Sequence, residues 1–150
     1  MPKRADSLLI LVVRRTIAAA PERLFDAWTR PEQLRQWWGP TGVICTAAES
    51  DLRLGGSYRI ANQFPDGRVV WINGEFFSIE RPRELGYTWR LGSQQEAHER
   101  VIVRFEPRGA QTEIIVTHER IRDATDRESH QQGWAGCLQG LETYISSGNI

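Results

Sequence analysis

The segment from Thr125 to Ile145 constrains the fold more than any other part of the chain. Trp134, Cys137, Leu138, Leu141, Tyr144 and Ile145 share one helical stripe with His130, while Gln131, Gln132, Gln139, Glu142 and Thr143 lie opposite. Thr125-Asp126-Arg127-Glu128 has the form of a capping box, with Thr125 as N-cap. Much of the chain before it alternates at the period of strands. Leu85, Tyr87 and Trp89 share one face, as do Val101, Val103 and Phe105, then Ile114, Val116 and His118. A sheet with one apolar face must bury it, and this helix is the only long partner the pattern offers. The expectation is an α+β domain in which an antiparallel sheet wraps a long C-terminal helix.

Shorter elements fill in around that pair. Residues 1–7 read as a tail, and Leu8 to Ile17 as the first strand of a domain covering 8–150. Pro21 and Pro31 each precede a Glu and suit the first position of a helix. The first helix would bury Leu24, Phe25 and Trp28; the second would bury Leu34 with Trp37 or Trp38 and stop at Gly39-Pro40. Turn signals fall at Gly55-Gly56, Asp66-Gly67, Arg81-Pro82 and Pro107-Arg108-Gly109. A hairpin through Pro107–Ala110 would set Val103 against Ile114, Val101 against Val116 and Arg104 against Glu113. Gly133, Gly136 and Gly140 gather on one flank of the last helix. Each costs about 1 kcal/mol relative to Ala in a helix interior, so a close approach of the sheet or the short helices is expected there.

Charge and cysteine usage narrow the partners. The 19 basic and 19 acidic residues balance, which argues against a nucleic acid or an anionic membrane surface. The longest apolar run, Leu8 to Val13, is far too short to span a bilayer, so no membrane insertion is expected. Cys45 and Cys137 make no disulfide framework and are expected to be free thiols, with the cytoplasm as the default location.

Several segments together carry a family resemblance. They are Arg15-x-Ile17-x-Ala19-x-Pro21, Ala27-Trp28-Thr29-x-Pro31-Glu32, Trp37-Trp38-Gly39-Pro40 and Gly55-Gly56-x-Tyr58-Arg59, then Gly74-x-Phe76, Leu85-x-Tyr87-Thr88-Trp89 and His130-x-x-Gly133-Trp134. In this order, from about Leu11 to Ile145, the chain resembles the family named after the C-terminal domain of the heat-shock protein 90 ATPase activator. That family lies within the START-like, birch-pollen-allergen-like (SRPBCC) superfamily. The resemblance implies a helix-grip fold of about six or seven strands. It also implies a cavity between sheet and helix, which in the superfamily holds lipids, sterols, polyketides or other apolar molecules. The family name implies a chaperone partner. The 150 residues read as one domain, so the two-domain layout of the eukaryotic activator is not expected here.

The candidate ligand-binding residues are Trp38, Tyr58, Trp71, Glu75, Trp89, His118, His130 and Trp134. His118, on the inward strand face, and His130, on the inward helix stripe, can meet at one end of a cavity; structural, hydrogen-bonded histidines are the alternative. None of His98, His118 and His130 has metal-ligand spacing to another, so no metal is expected. Trp37 and Trp38 are adjacent and cannot both bury on one face, so one ring should stay exposed. Trp71, Trp89 and Trp134 serve as core and cavity wall at once. Tyr58, Arg59 and Glu75 offer polar groups to orient a ligand, although bulges at Gly55-Gly56 or Gly74 would change their face. No phosphate-binding, dinucleotide or nucleophile-elbow motif is present, and no cofactor is expected. The leading reading is a binder of a small apolar molecule without defined catalytic activity, as a monomer or homodimer. The alternatives are a cyclase/aromatase or hydrolase type of enzyme using His118, His130, Tyr58 or Glu75 as acid or base, and a chaperone-interaction module. A filled interior would favour the last. An open pocket with converging polar groups and a strongly shifted pKa would favour the enzyme, and an open pocket without them the binder.

Overall fold

The computed structural model describes residues 8–39, 42–92 and 99–147. In chain order the elements are β1 (Leu9–Ile17), α1 (Pro21–Thr29), α2 (Pro31–Trp37), β2 (Ile44–Ser50), β3 (Ser57–Gln63), β4 (Val69–Glu80), β5 (Glu84–Leu91), β6 (Glu99–Arg108), β7 (Gln111–Ile121) and α3 (Ala124–Ser146). The seven strands form one antiparallel sheet in the order β1-β7-β6-β5-β4-β3-β2. From β3 to β7 each strand pairs with the one before it, and β1 completes the far edge against β7. Helices α1 and α2 carry the chain from one edge strand to the other, and α3 lies along the apolar face. This is the α+β helix-grip architecture expected from the sequence. No described helix is long and apolar enough to cross a membrane.

The β6–β7 hairpin is two residues out of the expected register. Val103 faces Val116, Val101 faces His118 and Phe105 faces Ile114. The ladder runs on through Pro107 and Thr112 to Arg108 and Gln111, so only Gly109 and Ala110 remain in the turn. A two-residue slip leaves every side chain on its own face, so the buried set is unchanged. Arg104 therefore opposes Ile115, and Glu113 instead accepts from Arg108 at 2.9 Å.

Helix α3 begins earlier than the capping box suggested. Its N-cap is Asp123, whose carboxylate accepts from the Asp126 amide at 2.9 Å, and Thr125 already lies inside the helix. Asp caps more strongly than Thr, so the helix winds back to the better acceptor. The tryptophan pair is also corrected. Both rings are buried, Trp37 at 4% exposure and Trp38 at 5%. The helix ends between them and Trp38 is extended, so the two side chains diverge. Trp37 Nε1 donates to the Ala27 carbonyl at 2.9 Å, and Trp38 Nε1 to Asn62 Oδ1 at 3.0 Å. Cys45 and Cys137 are free thiols and buried. Pro40 and His98 lie outside the described residues.

Candidate functional site

Strand alternation sends Asn62 of β3, Val70 and Ile72 of β4, and Trp89 of β5 toward α3. There they meet His130, Gly133, Trp134 and Cys137 around a cavity of about 300 Å³. Aromatic rings set its walls. Trp134 stacks on Trp28 with centroids 6.1 Å apart and meets Trp38 edge-on at 5.5 Å. Rings locked against one another this way cannot collapse into the space beside them. The glycines of α3 behave in two ways. A Cβ on Gly140 would lie 2.8 Å from the Trp37 carbonyl oxygen, the close approach expected of that flank. A Cβ on Gly133 would meet nothing within 4 Å, so this glycine opens the cavity instead of admitting a neighbour.

One end of the cavity carries a hydrogen-bonded chain. Trp134 Nε1 donates to His118 Nδ1 at 3.0 Å, and His118 Nε2 lies 2.7 Å from Glu99 Oε1. The same oxygen is 3.1 Å from His130 Nε2, and the two imidazoles stack with centroids 4.3 Å apart. An indole N–H can only donate. His118 Nδ1 must therefore accept, and its Nε2 must carry the proton that goes to Glu99. This network assigns the tautomer. Burial pushes the His118 pKa down, against the opposing hydrogen bond to Glu99. Burial would raise Glu99, but hydrogen bonds from His118 and His130 overcome it and hold the carboxyl well below its ordinary range.

Glu99, His118 and His130 offer three ligand atoms within 4.8 Å of one another, a grouping their sequence spacing conceals. Two imidazoles and a carboxylate are a chemically reasonable set for zinc or iron. The hydrogen-bond pattern opposes that use. A ligating histidine normally donates its other N–H outward, whereas His118 Nδ1 accepts a hydrogen bond from Trp134. A metal on Nε2 would require His118 as an imidazolate. The cluster is better suited to holding protons than a cation.

The structure brings Trp38, Trp89, His130 and Trp134 to the cavity wall. His118 sits directly behind, 0% exposed. Tyr58 lies farther along the same sheet face beside a separate void of only about 30 Å³, where its hydroxyl donates to the Thr88 carbonyl at 2.6 Å. Burial raises its pKa well above the ordinary phenol value. Trp71 and Glu75 do not reach the cavity. Strands β3 and β4 pair without a bulge, so the inward positions of Ile72 and Phe76 force Trp71 and Glu75 outward. Arg59 lies over the Trp71 ring at 4.0 Å, and Glu75 accepts from Arg90 at 2.8 Å. Asn62 and Glu99 belong to the site although no motif marked them for it. Asn62 could have been found by counting alternate positions from Tyr58 along one strand.

A curved antiparallel sheet gripping a terminal helix around a cavity defines a helix-grip protein. Residues 18–146 match the family described as Activator of Hsp90 ATPase homolog 1-like protein, and the chain belongs to that family. It is similar to the AHSA1 protein of Silicibacter pomeroyi, with 28% identity, 94% of this chain and 100% of that one covered, and a TM-score of 0.81. A protein of Chromobacterium violaceum shares 24% identity over 91% of this chain and 96% of its own, with a TM-score of 0.82. A protein of Nitrosomonas europaea shares 20% identity over 93% and 96%, with a TM-score of 0.80. No curated protein sequence matches the chain.

Proposed function

We propose that the protein binds a small, largely apolar molecule in the cavity between β3–β5 and the N-terminal half of α3. The observation that carries this reading is the open space beside Gly133, about 300 Å³ bounded mainly by aromatic and aliphatic side chains. That volume is at the lower end of the roughly 300–1,000 Å³ usual for small-molecule sites. An open interior favours a ligand over a pure interaction module. The state of the polar groups favours binding over catalysis. Tyr58 and Glu75 lie away from the cavity, and His118 is sealed behind it. Glu99 is held as an anion by two imidazole N–H groups, the opposite of a carboxyl tuned to exchange protons near neutrality.

The test is a thermal-shift screen of fatty acids, sterols, flavonoids and polycyclic aromatics, read together with tryptophan fluorescence. At a hundred times its dissociation constant a ligand stabilises by about 2.7 kcal/mol, roughly 5–10 °C for a domain of this size. Quenching of Trp38, Trp89 and Trp134 should accompany it. Gly133→Leu places a side chain in the open space and should abolish both signals while the protein stays folded. The reading fails if no compound shifts the melting temperature, or if Gly133→Leu binds as well as the wild type.

A further inference from the structure

Beside the apolar cavity lies a second chamber of about 400 Å³, lined by Glu99, Arg120, Arg122 and Asp126. The two spaces share Trp89, Leu91, Ser129 and His130 as common lining. The second chamber holds two cationic and two anionic side chains, but these are not equally free. Arg122 is bound to Asp126 at 3.0 Å and lies 3.5 Å from Asp123. Glu99 is taken up by the imidazoles of His118 and His130. Arg120 has no ion pair or side-chain hydrogen bond among the described residues. The Arg122–Asp126 pair cancels, and Glu99, although an anion, has its Oε1 engaged by both imidazoles, so Arg120 is the chamber's one cation without a side-chain partner among the described residues.

The backbone at Arg120 is unusual as well. Strand β1 sets Leu9 against Ile121 and Leu11 against His118, so two steps on one strand face three on the other. The extra residue makes a bulge, and Arg120 sits in it at φ 65, the only non-glycine residue with positive φ among those described. Glycine adopts this conformation without cost, whereas an arginine does not. Such strain persists where the surroundings impose it, and bulges serve to re-aim a side chain. Here the bulge sits at the chamber that adjoins the apolar cavity, and Arg120, an exposed residue, contributes to its lining. Trp89, in the shared lining, adds a buried indole N–H with no hydrogen-bond partner. The indole N–H lacks an acceptor, and the exposed guanidinium has no side-chain partner among the described residues.

We infer that the ligand is a small amphipathic monocarboxylic acid, its apolar body in the first cavity and its carboxylate in the second chamber on Arg120. This rests on the binding reading above and names the ligand class for it. Guanidinium pairs with carboxylate through charge-assisted hydrogen bonds, which a neutral alcohol or amide of the same shape cannot match. Cholesterol-like or unsubstituted polycyclic ligands would leave Arg120 without a partner.

Matched pairs test this by calorimetric titration at neutral pH: octanoic acid against octanol, and naphthoic acid against naphthamide. The acid of each pair should bind about tenfold more tightly or better, a preference that shrinks as salt is raised. Arg120→Gly should bring the acid down to the affinity of its neutral partner, leave the neutral partner unchanged, and raise the melting temperature by relieving the strained backbone. That higher melting temperature separates loss of the charge from loss of the fold. Equal binding of acid and neutral partner by the wild type, or an acid preference retained in Arg120→Gly, overturns the carboxylate assignment alone. Failure of the wild type to bind either member of both pairs overturns this ligand class, and the wider screen decides the cavity's role separately.

Discussion

Removing the indole N–H of Trp134 leaves His118 Nδ1 facing no donor in a sealed interior. Trp134→Phe is therefore expected to cost at least about 1–3 kcal/mol, the usual penalty for a buried unsatisfied group, in urea denaturation. The pH dependence follows from the same chain of bonds. Glu99 has a folded pKa below its ordinary value of 4.5, so its contribution is complete above 4.5 and is lost as pH falls toward about 2. His118 also has a lowered folded pKa, from an ordinary 6.5, because burial favours the neutral ring. The unfolded chain gains that proton first, so stability already declines as pH drops below 6.5. Both groups make acid destabilising. The stability gap between wild type and Glu99→Gln should be about 2 kcal/mol at neutral pH and narrow below pH 4.5. A gap independent of pH would mean that Glu99 is not held ionised. At this scale the sequence revealed the meeting of His118 and His130, because each lay on an apolar face. It did not reveal Glu99, which opens β6 beside six residues that show no strand pattern. Nor could it place Trp71 and Glu75, since one undetected bulge reverses the face of every residue beyond it.

Among the elements, α3 is where sequence and structure differ most usefully. Its stripe was legible because helical spacing is a strong signal, and Trp134, Cys137, Leu138, Leu141 and Tyr144 are all buried as that spacing requires. Its start was not, because Asp123 and Thr125 are both acceptable caps and only the surrounding geometry chooses between them. Asp123→Ala should cost about 1 kcal/mol, whereas Thr125→Ala should be close to neutral. The glycine flank gives a sharper contrast within one helix. Gly140→Ala should destabilise by about 1–3 kcal/mol, since the Trp37 carbonyl at 2.8 Å is backbone and cannot swing aside. Gly133→Ala should stabilise by about 1 kcal/mol, because its methyl group enters open space while the helix gains propensity. Thermal melts of the two variants should move in opposite directions. If both rise, α2 does not hold the position that the Trp37 contact requires. The β6–β7 hairpin shows the matching limit for strands. Alternation identifies the buried face but is blind to slips of two residues, so the turn alone decides the register.

Across the whole molecule, α3 divides into a half that closes the fold and a half that leaves it open. Leu138 and Leu141 are essentially without exposure, and beyond them the helix packs on β1 and α2, with Gly140 admitting the Trp37 carbonyl. Toward the N-terminus, Ser129, His130 and Gly133 border the cavity instead. The helix-grip layout was legible in the sequence from one long amphipathic helix and a succession of alternating strands. The size of the gap was not, because it depends on how rings such as Trp28, Trp38 and Trp134 brace one another, and periodicity carries no information on ring packing. The division has a dynamic consequence. Amides are protected from exchange in proportion to the free energy of the local opening that frees them, and few packed contacts make such opening easy. In the free protein, residues 138–146 should exchange slowly and residues 129–137 markedly faster. A ligand seated against His130, Gly133 and Trp134 stabilises only conformations in which that wall is formed, so it should slow exchange in the first segment and leave the second nearly unchanged. Hydrogen exchange followed by mass spectrometry, with and without whichever compound gives the largest thermal shift, reads this directly. Uniform protection along α3 in the free protein would show that its N-terminal half is held by packing alone. Protection confined to 138–146 on ligand addition would place the ligand in the groove between α2 and α3, lined by Trp37, Gly136 and Gly140, and not under the sheet.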